Sequence, residues 1–473
     1  MKKPDLPENA HIHMVGVGGA GVSGLAVVMA QMGYSVSGSD LRPGPVEEKL
    51  RALGARVFAG HNAAFVSGAD LVVASAAVPD DNPELVAARQ KGIPIVSRAE
   101  MLGRLMSGNF GIAVAGTHGK TTTTSMLAVV LEAAGRDPTI LIGGDLDLLN
   151  GNAKLGRGDL FLSEACEAFN SFHELAPRIA VVTNIEGDHL DYHGSLEGVI
   201  DSFRRFLSRI EEDGCAVMGV DCPNVRGVIG SIGRRVSTYG LGEDADCRAH
   251  DVDVSTPEPS FRADFGGSSL GRFTLRVPGI HNVRNALAVL AVGCELDVDP
   301  DVMRDALAEF RGVGRRFDVL GTANDIMVVD DYAHHPTEIR ATLSAARCWG
   351  RRIVAVFQPH LYSRTEILAA DFADSLKQAD AVFLTEIYPA REKPRPGVSA
   401  SMIADLINAD LPGKARFVAD KERLADELMP ALEPGDLVVV MGAGDIRSAA
   451  EELLARLNSA PKGRRPAADR KKS

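Results

Sequence analysis

The stretch Gly116-Thr117-His118-Gly119-Lys120-Thr121-Thr122 constrains this chain more than any other. It follows Gly111–Ala115, an apolar run that reads as a buried strand, and it leads into a helical pattern. A strand, a glycine turn and a helix opening on Lys-Thr make a cradle for phosphates. The turn offers backbone N–H groups, the lysine neutralises β- and γ-phosphates, and the threonine hydroxyl suits Mg2+. A strict P-loop has a further glycine five residues before Gly119, and Val114 stands there, so this is a shortened variant. Such a loop belongs at the carboxyl edge of a parallel sheet covered by helices.

A second glycine turn, Gly16-Val17-Gly18-Gly19-Ala20-Gly21, lies between the strand pattern His11–Val15 and the helical run Val22–Met32. Gly16, Gly18 and Gly21 fit G-x-G-x-x-G, and Asp40 stands 19 residues beyond Gly21, after the strand Ser35–Ser39. The glycines allow a diphosphate close to the backbone, and Asp40 suits a ribose or sugar hydroxyl. Gly19, Ala20 and Ser75, which follows the strand pattern Leu71–Ala74, join this expected site. The motif leaves NAD and a UDP-sugar equally open.

Strand–helix alternation continues through the rest of the 473 residues, which at about 150 per domain suggests three domains. We place them at 1–107, 108–315 and 316–458, followed by a disordered basic tail over 459–473. The expected class is α/β throughout: a Rossmann-like N-terminal domain, a central P-loop ATPase domain with a β-rich excursion over 240–275, and a Rossmann-like C-terminal domain. In the last, strands are expected at Ile326–Val329, Ile353–Phe357, Ala381–Thr385 and Leu437–Met441, with helices at 337–347, 365–377, 399–408, 421–431 and 446–457. The hinge is Gly312-Val313-Gly314-Arg315-Arg316-Phe317. The net charge of −12 argues against a broad nucleic-acid binder. No apolar run approaches the ~20 residues of a spanning helix. The six cysteines have no metal-ligand or CxxC spacing, which fits reduced thiols in a cytoplasmic protein.

Further polar clusters fall at the ends of strand patterns, where α/β sheets bind ligands. Glu164-Ala165-Cys166-Glu167 follows Leu160–Ser163 and suits Mg2+ or water positioning. Thr183-Asn184-Ile185-Glu186-Gly187-Asp188-His189 follows Ala180–Thr183; His189 is a candidate metal ligand, while Asp188 and Asp191 read as orienting or capping residues. In the third domain, Asp330-Asp331-Tyr332-Ala333-His334-His335-Pro336 and Phe357-Gln358-Pro359-His360-Leu361-Tyr362-Ser363-Arg364 supply His334, His335, His360 and Arg364, groups that suit a carboxylate.

Taken in order, these motifs, with Asn285 and Arg315-Arg316-Phe317, resemble those of the Mur ligases over roughly residues 10–457. The resemblance implies UDP-substrate-binding, ATP-binding and amino-acid-binding domains. It implies an enzyme of the alanine-adding branch, an ATP-dependent ligase of peptidoglycan precursor synthesis. ATP would phosphorylate the lactyl carboxylate of UDP-N-acetylmuramate, and L-alanine would attack the acyl phosphate, leaving ADP and phosphate. Carried over, Thr121, Glu164 and His189 are the ligands of Mg2+, with Mn2+ an alternative. Gly116–Thr122, Asn285, Arg316 and Asp330 hold ATP. Lys120, Glu164, His189, His334 and Arg364 are catalytic, and His335, His360 and Arg364 bind the amino acid. The expected assembly is a monomer or homodimer.

There are departures from the family pattern. Phe203 occupies the place where several relatives carry a carbamylated lysine, and no lysine lies between Lys154 and Lys377. Leu361 replaces an arginine common after the Phe-Gln-Pro-His motif, and Cys166 replaces an acid. The alternatives are a recycling ligase that attaches a tripeptide to the same nucleotide, an NAD-dependent dehydrogenase, which leaves the Gly-Lys-Thr loop unexplained, and a non-catalytic nucleotide-binding regulator.

Overall fold

The computed structural model describes residues 2–42, 44, 46–390 and 392–459, without the side chain of Asp191. Of the expected tail only Ser459 falls within them. The strands form three sheets among these residues. They belong to two compact units, Met1–Gly314 and Arg315–Ser473, whose border falls inside the expected hinge.

The first sheet comprises β1 (His11–Val15), β2 (Ser35–Asp40), β3 (Arg56–Ala59), β4 (Leu71–Ala74) and β5 (Ile95–Ser97), all parallel, in the order β3-β2-β1-β4-β5. β1 is buried along its whole length, as a central parallel strand must be. Ile12 and Met14 share a core with Leu25 and Met29 of the helix Ala20–Gln31. The chain order reverses between β1 and β4, and the Gly16–Gly21 loop lies at that crevice.

The second sheet holds β6 (Phe110–Ala115), β7 (Thr139–Leu146), β8 (Gly151–Lys154), β9 (Leu160–Glu164), β10 (Ile179–Val182), β11 (Cys215–Gly219), β12 (Arg235–Gly240), β13 (Cys247–Asp253), β14 (Ser260–Phe265) and β15 (Ser268–Thr274). Its order is β15-β14-β13-β12-β11-β10-β6-β9-β7-β8. β13–β15 are the antiparallel excursion expected over 240–275. Helices Lys120–Ala133 and Ile280–Glu295 share one core with Ile112, Val114, Leu162 and Val181. The first two sheets are tied together by Asn152 on β8, whose Nδ2 donates to the carbonyl of Ala20 at 2.7 Å.

The third sheet comprises β16 (Asp318–Ala323), β17 (Ile326–Asp331), β18 (Arg352–Phe357), β19 (Ala381–Leu384), β20 (Ala415–Phe417) and β21 (Asp436–Met441), in the order β16-β17-β21-β18-β19-β20. Alternate residues of β17, β18 and β21 enter opposite cores, Val329, Ile353 and Val439 on one face and Val328, Val354 and Val438 on the other. This is the doubly wound pattern.

Two expectations need correction here. β17 is not the first strand of this unit: β16 precedes it, antiparallel, across a turn with Asn324 and Asp325 at φ of 52° and 61°. The helix expected over 421–431 is broken into Leu424–Leu428 flanked by single 3-10 turns, the second containing Pro430, which has no N–H to continue a helix.

Candidate active site

β10, β6 and β9 are adjacent and parallel, with Ala115 in register with Val182 and Val114 with Glu164. Their carboxyl ends therefore present the Gly116–Thr122 loop, Glu164 and the Thr183–His189 segment on one edge. The two loop glycines are required. Gly116 has φ +138°, and a Cβ there would lie 1.9 Å from Thr183 Oγ1. Gly119 has φ +82°, and a Cβ there would lie 2.7 Å from Asn285 Oδ1. The second contact brings Asn285 beside the loop, as the resemblance implies.

The loop is stitched to the segment after β10. The backbone N–H of Thr117 and of His118 donate to the carbonyl and Oδ1 of Asn184, at 3.0 and 2.8 Å. Thr117 Oγ1 accepts from the N–H of Glu186 at 2.8 Å. Lys120 Nζ donates to the carbonyls of Gly116 and Thr117 and stands 2.9 Å from Glu167 Oε2. Burial, the largest influence, pushes the pKa of this ammonium down. Glu167, then Cys166 and Glu164, outweigh it, so the net shift is upward and Lys120 stays charged. Thr121 Oγ1 donates to Glu164 Oε2 at 3.1 Å, so two expected metal ligands already meet.

His189 is in the left-handed region at φ 52° and begins the short helix Leu190–His193. Its N–H donates to Asp188 Oδ1 at 2.8 Å. Burial pushes the Cys166 thiol up, which keeps it a thiol rather than a thiolate nucleophile.

A cavity of about 280 Å³ lies between the first glycine loop and the second sheet; Gly19, Ala20, Ser75, Arg98, Glu164 and Cys166 are among its lining. Asp40 accepts from the N–H of Gly18 at 3.0 Å and of Arg42 at 2.9 Å and so shapes the loop, each oxygen retaining a lone pair for the expected sugar hydroxyl. Sequence reasoning passed over Arg98, the cavity's cation. It opens the helix Arg98–Met106 within a capping box formed by Ser97 and Glu100. It also passed over the tie between Lys120 and Glu167.

In the second unit the ends of β17, β18 and β19 gather the remaining candidates. The rings of His334 and His360 are 5.9 Å apart, His360 stacks on Tyr388 at 5.8 Å, and Arg364 Nη1 lies 3.5 Å from His360 Nδ1. Arg364 is 8% exposed. His335 caps the helix Pro336–Ala346, its Nδ1 accepting from the Thr337 N–H at 3.3 Å. Arg315 and Arg316 both lie over the Tyr332 ring, at 4.8 and 4.9 Å. Asp330 is fully buried and bonded to Arg447 at 3.0 Å, so one of its oxygens already serves the fold rather than a ribose. Asp331 is also buried. Burial raises its carboxyl to about 6 even though it accepts from the N–H groups of Phe317 and Ala333 and lies near Arg316.

Comparison with known proteins agrees with this geometry. Residues 11–110 match the Mur ligase family catalytic domain, 114–293 the Mur ligase middle domain and 315–444 the Mur ligase glutamate ligase domain. The chain is 48% identical over 451 residues to the UDP-N-acetylmuramate–L-alanine ligase of Geotalea daltonii, covering 95% of this chain and 98% of that one. The solved UDP-N-acetylmuramate–alanine ligase of Thermotoga maritima is 33% identical with a TM-score of 0.81, covering 95% and 99%. A solved murein peptide ligase of Psychrobacter arcticus is 26% identical with a TM-score of 0.71, covering 96% and 100%. With all three family domains in order and relatives this similar over nearly its whole length, the chain belongs to the Mur ligase family.

Proposed function

We propose that this chain is an ATP-dependent ligase that joins L-alanine to the lactyl carboxylate of UDP-N-acetylmuramate, releasing ADP and phosphate, in peptidoglycan precursor synthesis. The observation that carries the reading is the near full-length, 48% identity to a ligase of that name. The chemistry at the edge of the second sheet supports it. A carboxylate is a poor electrophile until one oxygen becomes a leaving group. Its oxygen attacks the γ-phosphorus of ATP and ADP departs; the alanine amine then adds to the acyl carbon and phosphate leaves. Lys120, held charged at the Gly116–Thr122 loop, offsets the repulsion between the incoming carboxylate and the γ-phosphate.

The oxygens of Thr121 and Glu164, 3.1 Å apart beside that loop, are the hard donors that Mg2+ prefers. With His189 they would hold it, and an imidazole ligand makes Mn2+ an acceptable substitute. When bound, the ion supplies positive charge against the crowded phosphate and carboxylate oxygens. Gly116–Thr122, Asn285, Arg316 and Asp330 are assigned to ATP. Gly16, Gly18, Gly19, Ala20, Gly21, Asp40 and Ser75 are assigned to the UDP-substrate. Arg98 adds a cation to that cavity. His334, His335, His360 and Arg364 form the amino-acid site, Arg364 pairing the alanine carboxylate. Domain limits at 107/108 and 315/316 and a place in the cytoplasm belong to the same reading. Among the described residues no helix is long and apolar enough to cross a membrane.

The test is phosphate release with ATP and UDP-N-acetylmuramate, screened over amino acids and over the tripeptide of the recycling reaction. Alanine-dependent release is expected. Release driven by the tripeptide and not by alanine would replace this reading with the recycling one.

A further inference from the structure

Beneath the first glycine loop lies a buried polar network that the chemistry above does not use. Glu84, on the helix Pro83–Gln90, is fully buried, as are His13, Ser37 and Ser39. Its Oε2 accepts from the Ser39 hydroxyl at 2.6 Å and lies 2.6 Å from His13 Nε2. Its Oε1 accepts from the N–H of Asn62 at 3.2 Å and lies 2.9 Å from His61 Nδ1. From His13 the line continues: Nδ1 is 2.7 Å from Ser37 Oγ, which is 2.7 Å from His11 Nε2, and His11 Nδ1 is 2.9 Å from the Gly68 carbonyl. The titratable groups bonded into this network, among the described residues, are His11 and His13 on β1, His61 after β3, Asp70 before β4, which accepts from the His11 N–H, and Glu84.

Counting hydrogens along that line gives an unequal result. Four contacts join the Gly68 carbonyl, His11, Ser37, His13 and Glu84, and each needs one hydrogen. The carbonyl and an ionised Glu84 bring none; neutral His11, Ser37 and neutral His13 bring one each. One more proton completes the line. Four donors converge on the Glu84 carboxylate. Burial pushes its pKa up, but the bonds from His13, Ser39 and His61 outweigh that and hold it below its ordinary range. The extra proton therefore belongs on an imidazole. On His13 it lies against the carboxylate, and every contact is then satisfied in one direction: His13 donates to both Glu84 and Ser37, Ser37 to His11, and His11 to Gly68.

The network reaches the glycine loop through one residue. The Ser39 hydroxyl is bound to Glu84, while the Ser39 carbonyl accepts from the N–H groups of Gly16 and Val17 at 2.8 and 3.0 Å. We propose that Glu84, His13 and Ser39 are positioning residues for the Gly16–Gly21 loop, with a proton held on His13 against Glu84 keeping the Ser39 anchor in place. This rests on the reading that the loop takes the diphosphate of UDP-N-acetylmuramate.

Glu84→Gln and Ser39→Ala in the full chain test it. Glu84→Gln can remain bonded, its amide donating to a His13 Nε2 that no longer carries a hydrogen, and so dispenses with the extra proton. Ser39→Ala removes the link to Glu84 and retains the carbonyl. Each variant is expected to raise the KM for UDP-N-acetylmuramate by about 3- to 10-fold, the scale of one weakened buried hydrogen bond, with kcat and the KM values for ATP and alanine unchanged. Nitrogen-15 NMR of histidine-labelled protein is expected to show one imidazolium with both ring nitrogens protonated in the parent and none at that position in Glu84→Gln. Neutral imidazoles at both His11 and His13 in the parent, or unchanged KM values in both variants, would overturn the proposal. Gly18→Ala separates this from the site reading, because its Cβ would lie 2.8 Å from the Arg42 carbonyl and distort the loop itself. If Gly18→Ala raises that KM and the network variants do not, only the network proposal falls. If Gly18→Ala leaves it unchanged, the loop assignment falls first.

Discussion

Lys120→Met separates the two jobs that one ammonium performs. Methionine keeps most of the side-chain length and removes the charge. In the folded chain Lys120 Nζ stands 2.9 Å from the Glu167 carboxylate, and Glu167 is 2% exposed. At that separation the gross attraction is about 6 kcal/mol with an effective dielectric of 20. Much of it offsets desolvation, and breaking such a buried pair by removing one partner costs about 3–5 kcal/mol. We therefore expect Lys120→Met to lower the melting temperature of the first unit by roughly 5–10 °C. Turnover should fall by about 10²-fold or more, since a preorganised charge at the transferring phosphoryl group is lost. The double variant Lys120→Met/Glu167→Gln should recover most of the stability and none of the activity, because the orphaned carboxylate is gone but the phosphate still lacks its cation. The assays are thermal unfolding and phosphate release on the same samples. Recovery of turnover in the double variant would refute the assignment of Lys120 to the phosphates. A melting temperature within 1 °C of the parent in Lys120→Met would refute the stabilising pair.

Other outcomes follow from the same geometry. Gly119→Ala, with φ +82° and a Cβ 2.7 Å from Asn285 Oδ1, should raise the KM for ATP at least 10-fold while UDP-N-acetylmuramate affinity, measured by calorimetry, holds. His189→Ala should shift the Mg2+ titration of activity to higher concentration more than it alters UDP-N-acetylmuramate affinity; an unchanged titration counts against its ligand role. Arg364→Ala should raise the KM for alanine strongly and leave hydroxylamine trapping of the acyl phosphate largely intact, whereas loss of trapping would put Arg364 in the activation step. Burial favours the neutral form of Asp331 and raises its carboxyl from the ordinary 3.8 to about 6 in the folded chain. Its contribution to stability is thus full below pH ~4 and is lost as pH rises through about 6, on the order of 3 kcal/mol. Unfolding of the second unit should show that decline between pH 4 and 6, and Asp331→Asn should remove it.

Much of this site was legible because its backbone demands leave a mark in residue type. Gly116 and Gly119 occupy conformations that other residues rarely adopt, and a Lys-Thr pair at a helix start announces phosphate. Parallel strands of nearly unbroken apolar residues, such as β6 and β21, were equally plain. β7 was not, because Gly143, Gly144 and Asp145 interrupt its pattern, and β16 was hidden by Gly321 and Thr322. Pairings between distant positions left no local trace either. Nothing near Lys120 in sequence points to Glu167, and nothing near Asp40 says that its carboxylate will accept from the N–H of Gly18.

The Asp40 contacts bear on what the first glycine loop can recognise. In a dinucleotide site the acid after the second strand is the group that tells a ribose from its phosphorylated form. Here both Asp40 oxygens accept backbone N–H groups, and a Cβ at Gly18 would sit 3.0 Å from that carboxylate, so the loop and the acid are packed as one piece. The helix that follows is covered as well. Asn152 bonds to the Ala20 carbonyl and to Ser23 Oγ, and Gly24 lies against Ala153 and Leu141. Beside the loop lies the cavity shared with Arg98, Glu164 and Cys166. On the function proposed above, a nucleotide seated on this loop and filling that cavity would extend toward Glu164, whose Oε2 accepts from Thr121 Oγ1. For a nucleotide whose diphosphate carries a sugar bearing a carboxylate, that direction would bring the carboxylate toward the phosphate-binding loop, as the proposed activation requires.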